Sequence, residues 1–408
     1  MKTPRPSRRT AIAFAAAAVL AAAGTLVWLN LIDKVGEKTP AATSAVAATP
    51  IRIGVAVGLS GANSVVAPTV VQSSRLAVDE INAAGGILGR PVQLEIVDDA
   101  SGAAGAQKAL DTLVLEHKVD AVIAMQTSAA RNAALPVISR AKLPYIYTSF
   151  YEGRSCSPWM LVNGWVPEQQ VAPVVDYLVK ERSARTFFLV GSDYAFGRGM
   201  LEFAKAAIVK AGAQVVGEEY LPTDGTDWSA VIAKLRSAKP DALISATAGG
   251  APNVSLARQL RSAGLKLPYG NLAIDESTAK SMGDMATGML VSASYLTGIE
   301  TPENVAFLKR MLIRFGADLK APNELSVPQY EAFHLYKAAV EKAGSTDAGA
   351  VMKALGEVSF AGPRGMVRMN SSRHTALSMR LGKVRSDGSI AILQTFVDVD
   401  PGNQCPVN

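Results

Sequence analysis

The chain has 408 residues, a formal net charge of +6, a hydrophobic fraction of 49% and 34 glycines. A chain of this length exceeds one ordinary hydrophobic core, so two lobes are expected, and its composition is that of a compact α/β protein. Residues 1–47 hold six basic and two acidic side chains, and the remainder shows no basic stripe interleaved with aromatic residues, so no nucleic-acid partner is expected.

The first 47 residues are predicted to be an export segment. Basic residues through Arg9 precede an uncharged, alanine-rich run over 10–32, and residues 45–47 (Ala-Val-Ala) offer a small-x-small cleavage site. We therefore expect the mature protein to start near Ala48, in the periplasm. Two alternatives stay open: the arginine pair resembles a twin-arginine signal, and the run is long enough to act as an uncleaved membrane anchor.

From residue 51 the chain alternates predicted strands with predicted helices. The first strand ends in the polar loop Ser60-Gly61-Ala62-Asn63, and the pair Gly85-Gly86 stops the helix that follows. This alternation is typical of βαβ units with a parallel sheet. The predicted elements of this part are strands 51–59, 92–98 and 119–125 and helices 70–83 and 104–116.

The stretch 121–153 brings two predicted strand ends to one crevice. Its first strand is apolar enough to be covered on both faces, and Thr127 and Ser128 stand where the next helix begins. A hydroxyl there caps a backbone N–H, and the positive end of the helix dipole attracts a carbonyl or carboxylate oxygen. The next strand ends in Tyr147 and is followed by Ser149. The alternative is that Ser128 only caps its helix and Tyr147 only fills the core.

A second alternating series predicts a second sheet. Each series should form its own doubly wound parallel sheet, in which ligands bind beyond the carboxyl ends of the strands. The predicted elements of the second series are helices 167–181, 199–211 and 228–238, strands 186–190, 214–220 and 242–246, and a turn at 191–194.

The part after Tyr295 indicates how the lobes are joined. Helices 302–315 and 326–342 follow without an intervening strand, and another helix and two or three strands are expected to finish the chain. A chain that returns to lobe 1 and then to lobe 2 crosses three times, which predicts a three-strand hinge between two Rossmann-like α/β lobes with the ligand in the cleft. The predicted boundaries are 48–168 plus 296–345 for lobe 1, 169–295 plus 346–400 for lobe 2, and 401–408 for a C-terminal tail.

The only two cysteines are predicted to form a disulfide. Cys156 and Cys405 lie far apart in a chain that is expected to be exported to an oxidising compartment. The alternative is two unrelated thiols, because the sequence gives no distance between their Cα atoms.

Five motifs, taken in order, carry a resemblance to a known family. They are GGILGRPVQLEIVDDAS, YEG after the third strand, GSDYAFG, ETPEN and GPRGMVRMNSSRH. Over residues 50–400 the chain resembles the periplasmic solute-binding proteins of ABC importers, in the branched-chain amino acid, amide and urea-binding group. YEG followed by Ser-Pro, GSDY, and the tyrosine before ETPEN resemble the short-chain amide and urea binders. The resemblance implies a periplasmic monomer that closes on a small polar ligand and delivers it to the permease of an importer.

The resemblance also implies a ligand site. Ser128 and the neighbouring main-chain amides would hold an oxygen of the ligand, with Tyr147 and Ser149 beside it. Tyr194 and Glu276 would close the site from lobe 2. The full predicted ligand-binding set is Ser128, Tyr147, Ser149, Tyr194, Glu276, Gln126, Thr127, Phe150 and Asp275.

The acidic pair Asp275-Glu276 bears on the class of ligand. A small polar ligand that is buried between lobes loses water, so its ammonium or amide N–H needs an acceptor, and this pair supplies one. The pair favours an amino acid, whereas the family motifs favour an amide or urea. Two alternatives stay open: the pair only starts a helix over 277–281, and Tyr194 is only a turn residue.

Enzyme motifs are absent from the sequence. There is no G-x-S-x-G, no P-loop and no H-E-x-x-H, and His117, His334 and His374 show no metal-ligand spacing. We therefore expect neither catalysis nor a metal or cofactor. A ligand-sensing receptor or regulator on the same fold is the alternative to a transport protein.

Overall fold

The structure is a computed structural model that describes residues 48–405. The predicted export segment, residues 1–47, and the last three residues lie outside the described residues. Among the described helices, none combines the length and the apolar composition that crossing a membrane would need.

Among the described residues, a five-stranded parallel sheet forms the first lobe. Every residue of its central strand, Ala121–Met125, is buried, because helices cover both faces of the sheet. Neighbouring residues of the first strand accordingly face different clusters: Val55 packs with Val70, and Ala56 packs with Leu110. The strands lie in the order β2-β1-β3-β4-β5, and they are β1 (Ile51–Val57), β2 (Val92–Asp98), β3 (Ala121–Met125), β4 (Tyr145–Tyr147) and β5 (Met160–Val162).

Five of the described helices accompany this sheet. Three come early: α1 (Ala67–Ala83), α2 (Ala103–Asp111, continued by the π-helical Thr112–Glu116) and α3 (Ser128–Ala141). Two come from the later part of the chain, α9 (Pro302–Phe315) and α10 (Ser326–Ala343). Both return to lobe 1, where α10 packs against α1 and β3 and α9 packs against α1.

The second lobe of the described chain is built on a nine-stranded sheet. Its parallel part has the order β10-β9-β8-β6-β7, and an antiparallel part follows, in which β13 pairs with β10, β12 and β14. The strands are β6 (Thr186–Ser192), β7 (Gln214–Leu221), β8 (Ala242–Ala246), β9 (Tyr269–Asn271), β10 (Leu290–Ala293), β11 (Ser359–Gly362), β12 (Gly365–Met369), β13 (Thr375–Val384) and β14 (Ile390–Val399).

The number of terminal strands differs from the prediction. Two or three strands were expected after the last helix, and the structure has four, β11 to β14. The additional strand arises because a two-residue connection joins β11 to β12, with Gly365 at φ 104°, a backbone conformation that favours glycine.

The remaining helices are α4 (Pro167–Glu181), α5 (Ala195–Lys210), α6 (Ser229–Ala238), α7 (Ala251–Ser262), α8 (Glu276–Met282) and α11 (Ala348–Leu355). Helix α5 begins at Ala195 rather than at residue 199, so Gly197 and Gly199 lie inside the helix. Helix α11 packs against α10 of lobe 1, although residues 346–400 were predicted as part of lobe 2. The lobe boundaries stay predictions.

One buried arginine ties together the segments that link the lobes. Asn163 follows β5 in the first link, Ser294 follows β10 in the second, and Arg364 lies beyond the third, in the β11–β12 turn. The Arg364 guanidinium donates to Asn163 Oδ1 at 2.9 Å and to Ser294 Oγ at 3.0 Å. Its Nε donates at 2.7 Å to Oε2 of Glu331 in α10, and both side chains of this ion pair are almost wholly excluded from solvent.

The predicted disulfide is present in the structure. Cys156, in the β4–β5 connection, is bonded to Cys405, in the C-terminal tail, with their Cα atoms 5.3 Å apart. The tail is also held by hydrogen bonds, because Gln404 Oε1 accepts the N–H of Arg154 at 2.9 Å. The bond therefore fastens the end of the chain to lobe 1.

Candidate ligand-binding site

A cavity of about 110 Å³ lies between the lobes, at the carboxyl ends of strands from both sheets. Met125 ends β3 and Thr247 directly follows β8, so both sheets contribute the edge at which doubly wound folds bind ligands. The cavity is lined by Asn63, Val65, Val66, Met125, Gln126, Thr127, Ser128, Ser149, Phe150, Tyr194, Phe196, Thr247, Gly249, Gly250, Ala273, Ile274, Asp275, Thr278 and Leu325.

A larger cavity, of about 510 Å³, opens at the opposite edge of the second sheet. Leu243, Tyr269 and Leu290 line it, and these residues stand at the amino-terminal ends of β8, β9 and β10. Parallel sheets bind ligands at the other end of their strands, so the smaller cavity between the lobes is the candidate site.

The start of α3 forms one wall of the candidate site. Thr127 is the N-cap, because its backbone is extended and its Oγ1 accepts the N–H of Ala130 at 3.2 Å. Ser128 was predicted as the capping hydroxyl, but it is the first helical residue and its hydroxyl donates to Glu152. The cap therefore lies one residue earlier than predicted, and both residues line the cavity.

Gln126 lines the cavity, and both polar atoms of its side chain are hydrogen-bonded within the protein. Its Nε2 donates to Asp99 Oδ2 at 2.8 Å, and its Oε1 accepts from the Tyr145 hydroxyl at 2.6 Å. The Tyr147 hydroxyl donates to the backbone oxygen of Gln126 at 2.8 Å, and Tyr147 is fully buried outside the lining. Gln126 is thus a fixed wall of the site, and Tyr147 lies behind it.

Two buried hydroxyls in the lining have no hydrogen-bond partner within the described chain. Ser149 comes from lobe 1, after β4, and Thr247 comes from lobe 2, after β8. Buried polar groups in folded proteins are almost always hydrogen-bonded, so two hydroxyls without a hydrogen bond in one cavity indicate that a polar group binds there. A ligand between the lobes would supply it.

Aromatic rings form a wall that crosses the cleft. Phe150 of lobe 1 stacks on Trp165, with ring centres 4.4 Å apart, and lies 5.5 Å from Phe196 of α5 in lobe 2. Tyr194, at the N-cap of the same helix, lies 5.9 Å from Phe196. The structure therefore brings the predicted Phe150 and Tyr194 together in one apolar wall.

Of the predicted acidic pair, only Asp275 lines the cavity. Its Oδ1 accepts the N–H of Thr278 at 2.6 Å as the N-cap of α8, and its Oδ2 has a long contact of 3.4 Å with Asn323 Nδ2. Burial raises the pKa of Asp275, because its charged form loses water there. The Glu276 oxygens accept the N–H and hydroxyl of Thr297, at 2.9 and 2.6 Å, outside the lining.

A buried ion pair supports the site from behind. Arg131 Nη2 donates to Glu152 Oε1 at 3.0 Å, and the Arg131 side chain is 2% exposed. The guanidinium lies 5.2 Å from the ring centre of Tyr147 and 4.3 Å from that of Tyr151, so cation–π contacts hold it in place. Glu152 also accepts the Ser128 hydroxyl, which fixes the rotamer of a residue that lines the cavity.

His374 is packed beside Tyr151 in its neutral form. Its Nδ1 lies 2.7 Å from the Ser372 carbonyl oxygen and its Nε2 lies 2.5 Å from the Tyr151 hydroxyl, an arrangement in which Nδ1–H donates and Nε2 accepts. Burial lowers the pKa of His374 from 6.5 to about 4, because the charged ring would lose its hydration.

We expect mild acid to destabilise the protein through His374. Its pKa is lower in the folded than in the unfolded chain, so its contribution to stability is complete above about pH 6.5 and is lost as the pH falls towards 4, by up to about 3 kcal/mol. Urea unfolding between pH 4 and 7 measures this slope. His374→Gln should flatten the slope, whereas His117→Gln, at a half-exposed histidine, should keep it. Equal slopes in all three proteins would contradict the prediction.

Sequence reasoning missed several residues of the lining. Thr247 directly follows the predicted strand 242–246, so the rule that ligands bind at strand carboxyl ends could have found it. Phe196 lies two residues beyond the predicted Tyr194, within the GSDYAFG motif. Leu325 precedes a helix that returns to lobe 1 from far along the chain, and no local pattern indicates it.

Comparisons with known proteins agree with this architecture. A family model described as periplasmic binding protein matches residues 50–389. The chain is 27% identical over 342 residues to Leu/Ile/Val-binding protein homolog 3 of Brucella melitensis, which covers 80% of this chain and 89% of that relative.

Solved structures show the same fold. A solute-binding protein of an ABC transporter from Rhodopseudomonas palustris, in complex with 3,4-dihydroxybenzoic acid, superposes with a TM-score of 0.78 at 21% identity, over 86% of this chain and 99% of that one. A branched-chain amino acid transporter substrate-binding protein from Streptococcus pneumoniae, in complex with isoleucine, gives a TM-score of 0.74 at 21% identity, with the same coverage of 86% and 99%.

Proposed function

The chain belongs to the periplasmic binding protein family, and from this membership we propose that it captures an amino acid with an apolar side chain and delivers it to the permease of an ABC importer. It is a binding protein and not an enzyme, and the family implies a location in the periplasm. The proposed mechanism is closure of the two lobes over the ligand, about the segments that link them.

The half-buried carboxylate of Asp275 is the observation that carries this proposal. An anion that has lost part of its hydration is stabilised when a cation joins it, and Asp275 Oδ2 has only one long contact in the described chain. An ammonium in the cavity would supply that cation and would favour the ionised form that burial opposes. A carboxylate ligand without an amine would instead bring a second negative charge into one small cavity.

The volume and lining of the cavity support an apolar side chain. Its volume of about 110 Å³ is several times the roughly 10 to 15 Å³ that is needed to hold one water, so the cavity has room for a ligand with a side chain. Apolar side chains such as Met125, Phe150 and Ile274 line the rest of the cavity.

The hydroxyls of Ser149 and Thr247, which have no partner in the described chain, could bind the carboxylate of an amino acid. Ser149 and Thr247 are both donors without a partner in the described chain, and a ligand carboxylate would accept from each. Because they come from different lobes, a carboxylate bound to both would favour the closed arrangement. This pattern differs from the prediction in which Ser128 and the neighbouring main-chain amides hold the ligand oxygen, since the Ser128 proton is donated to Glu152.

An aromatic carboxylate is the second candidate, and the aromatic wall favours it. Phe150, Tyr194 and Phe196 would contact a planar ring, and the Rhodopseudomonas palustris protein is in complex with such an acid. The two candidates differ in charge next to Asp275, because only the amino acid brings a cation there. That difference decides between them.

We expect Asp275→Asn to weaken binding of leucine or isoleucine by about 2 to 5 kcal/mol, or roughly 30-fold to 5,000-fold in Kd, because it removes the partner of a buried ammonium. The same change should strengthen binding of benzoate, since it removes a like charge. Urea and acetamide, which carry no formal charge, should respond little. Calorimetry of the purified protein against these compounds measures all three.

Glu276→Gln is the matched control for this experiment. It removes one charge from the adjacent position, but Glu276 is bonded to Thr297 and lies outside the lining, so ligand affinity should stay near that of the wild type. A large loss in Glu276→Gln with none in Asp275→Asn would restore the pairing predicted from the sequence. Amino acid binding that survives both changes would contradict the proposed site.

A further inference from the structure

The Glu152 side chain of lobe 1 lies against the backbone of helix α5 in lobe 2, at Gly199, which has no side chain. A Cβ atom added to Gly199 would lie 2.6 Å from Glu152 Cβ and 3.2 Å from Glu152 Cγ, which is closer than such carbons approach one another. The three nearest atoms to that position all belong to Glu152. The two lobes can therefore come this close only because residue 199 has no side chain.

Glu152 has little freedom to move aside. One carboxylate oxygen accepts the Ser128 hydroxyl and the other accepts Nη2 of Arg131, whose side chain is 2% exposed. The Arg131 guanidinium is in turn held between the rings of Tyr147 and Tyr151. A methyl group at position 199 would thus meet a side chain that is fixed from behind.

Nothing within lobe 2 requires glycine at this position. Gly199 lies inside α5 and its φ is not positive, and alanine is a better helix former than glycine at such a site. Gly197 in the same helix is different, because a Cβ there would lie 2.1 Å from the Ser192 carbonyl oxygen of its own lobe. Only the contact with Glu152 of the opposite lobe therefore requires that residue 199 has no side chain.

We infer that Gly199 is a positioning residue for lobe closure. Its lack of a side chain lets Glu152 pack directly against the helix backbone, and this contact sets the distance between the lobes in the ligand-bound state. The inference rests on the proposed function, because it treats the observed contact as the closed state of a ligand-binding cycle. Glu152 links the contact at Gly199 to the ligand site, since it also accepts the hydroxyl of Ser128, which lines the cavity.

The test follows closure directly, by pulsed EPR distances between spin labels on Leu115→Cys in lobe 1 and Val209→Cys in lobe 2. Both positions are exposed. With saturating L-isoleucine, the wild type should shift to a short distance and Gly199→Ala should not. Its Kd for isoleucine should be at least about tenfold higher. Its melting temperature without ligand should stay unchanged or rise, which a merely structural defect would not produce.

Two further variants make the outcome specific. Gly349→Ala in α11 is the matched control, because a Cβ there would meet nothing nearer than 3.5 Å, and it should close like the wild type. Glu152→Gly combined with Gly199→Ala removes the clashing atoms and leaves the Cα of residue 152 at 3.8 Å, so the short distance should return, although this variant should be less stable because Ser128 and the buried Arg131 both lose their partner. Closure of Gly199→Ala alone to the wild-type distance would overturn the inference.

The design also separates this inference from the proposed ligand. If isoleucine fails to bind the wild type, the ligand class is wrong, and the distance distributions without ligand decide the role of Gly199. The inference would be supported if the wild type and Gly349→Ala show a short-distance population and Gly199→Ala does not. Identical ligand-free distributions in all three proteins would overturn it.

Discussion

Replacing Arg364 with methionine is expected to lower the free energy of unfolding by about 3 to 5 kcal/mol, because it leaves the Glu331 carboxylate buried without its cation. The loss should be larger at pH 8 than at pH 6. Glu324 is attracted by Arg364, and burial already raises the pKa of Glu324 to about 7. A group with a raised pKa in the folded state loses its contribution to stability as the pH rises, and without the attraction of Arg364 the ionised Glu324 opposes folding more strongly in base.

Arg368→Met is the matched control for Arg364→Met. Arg368 pairs with Asp398 at the surface, where both side chains are about half exposed, and such pairs contribute at most about 1 kcal/mol. Adding Glu331→Leu to Arg364→Met should recover much of the stability, because it removes the unpaired charge. Urea unfolding measures all four proteins. Equal losses for Arg364→Met and Arg368→Met would contradict the prediction.

Removing the disulfide is expected to cost a similar amount. Cys156→Ser combined with Cys405→Ser should lower the free energy of unfolding by about 3 to 5 kcal/mol, because the bond closes a loop between residues 249 positions apart and so restricts the unfolded chain. The native state should keep its tail contacts, such as the hydrogen bond from the Arg154 N–H to Gln404. Unfolding in urea without reductant measures the difference.

The reduced wild type serves as the control for the double serine variant. Both lack the bond, so their unfolding midpoints should coincide below that of the oxidised wild type. Thiol titration of the unfolded, unreduced wild type should find no free thiol. Two free thiols in that titration, or a serine variant as stable as the oxidised protein, would rule out the stabilising role of the bond.

Much of the fold could be predicted because its elements are coded locally. Strand β8 and helix α4 have the predicted bounds, since a buried parallel strand is an uninterrupted apolar run and a proline at the first position marks the start of a helix. The start of α5 and the β11–β12 hairpin were not predicted. Glycines stand at both places, and a glycine is compatible with a helix, a turn or a hairpin until its neighbours in space are known.

The candidate site was predicted in part, and it stays a proposal. Strand ends of a parallel sheet meet at one edge whatever their side chains are, and this rule is enough to bring most of the set together. Tyr147 and Glu276 lie outside the lining, because neighbouring residues in a strand or at a helix start point in different directions. Seven of the nine predicted residues line the cavity, namely Gln126, Thr127, Ser128, Ser149, Phe150, Tyr194 and Asp275.

The alternation of strands and helices and the expectation that the two cysteines pair follow from composition, order and local pattern, and the family follows from the resemblance that the five motifs carry. Contacts between distant segments set which carboxylate enters the cavity, that the Ser128 proton is donated to Glu152, and that Glu152 lies against Gly199. Local patterns relate residues only a few positions apart, whereas these contacts join segments whose distance is set by how two separately folded sheets dock across the links that Arg364 holds.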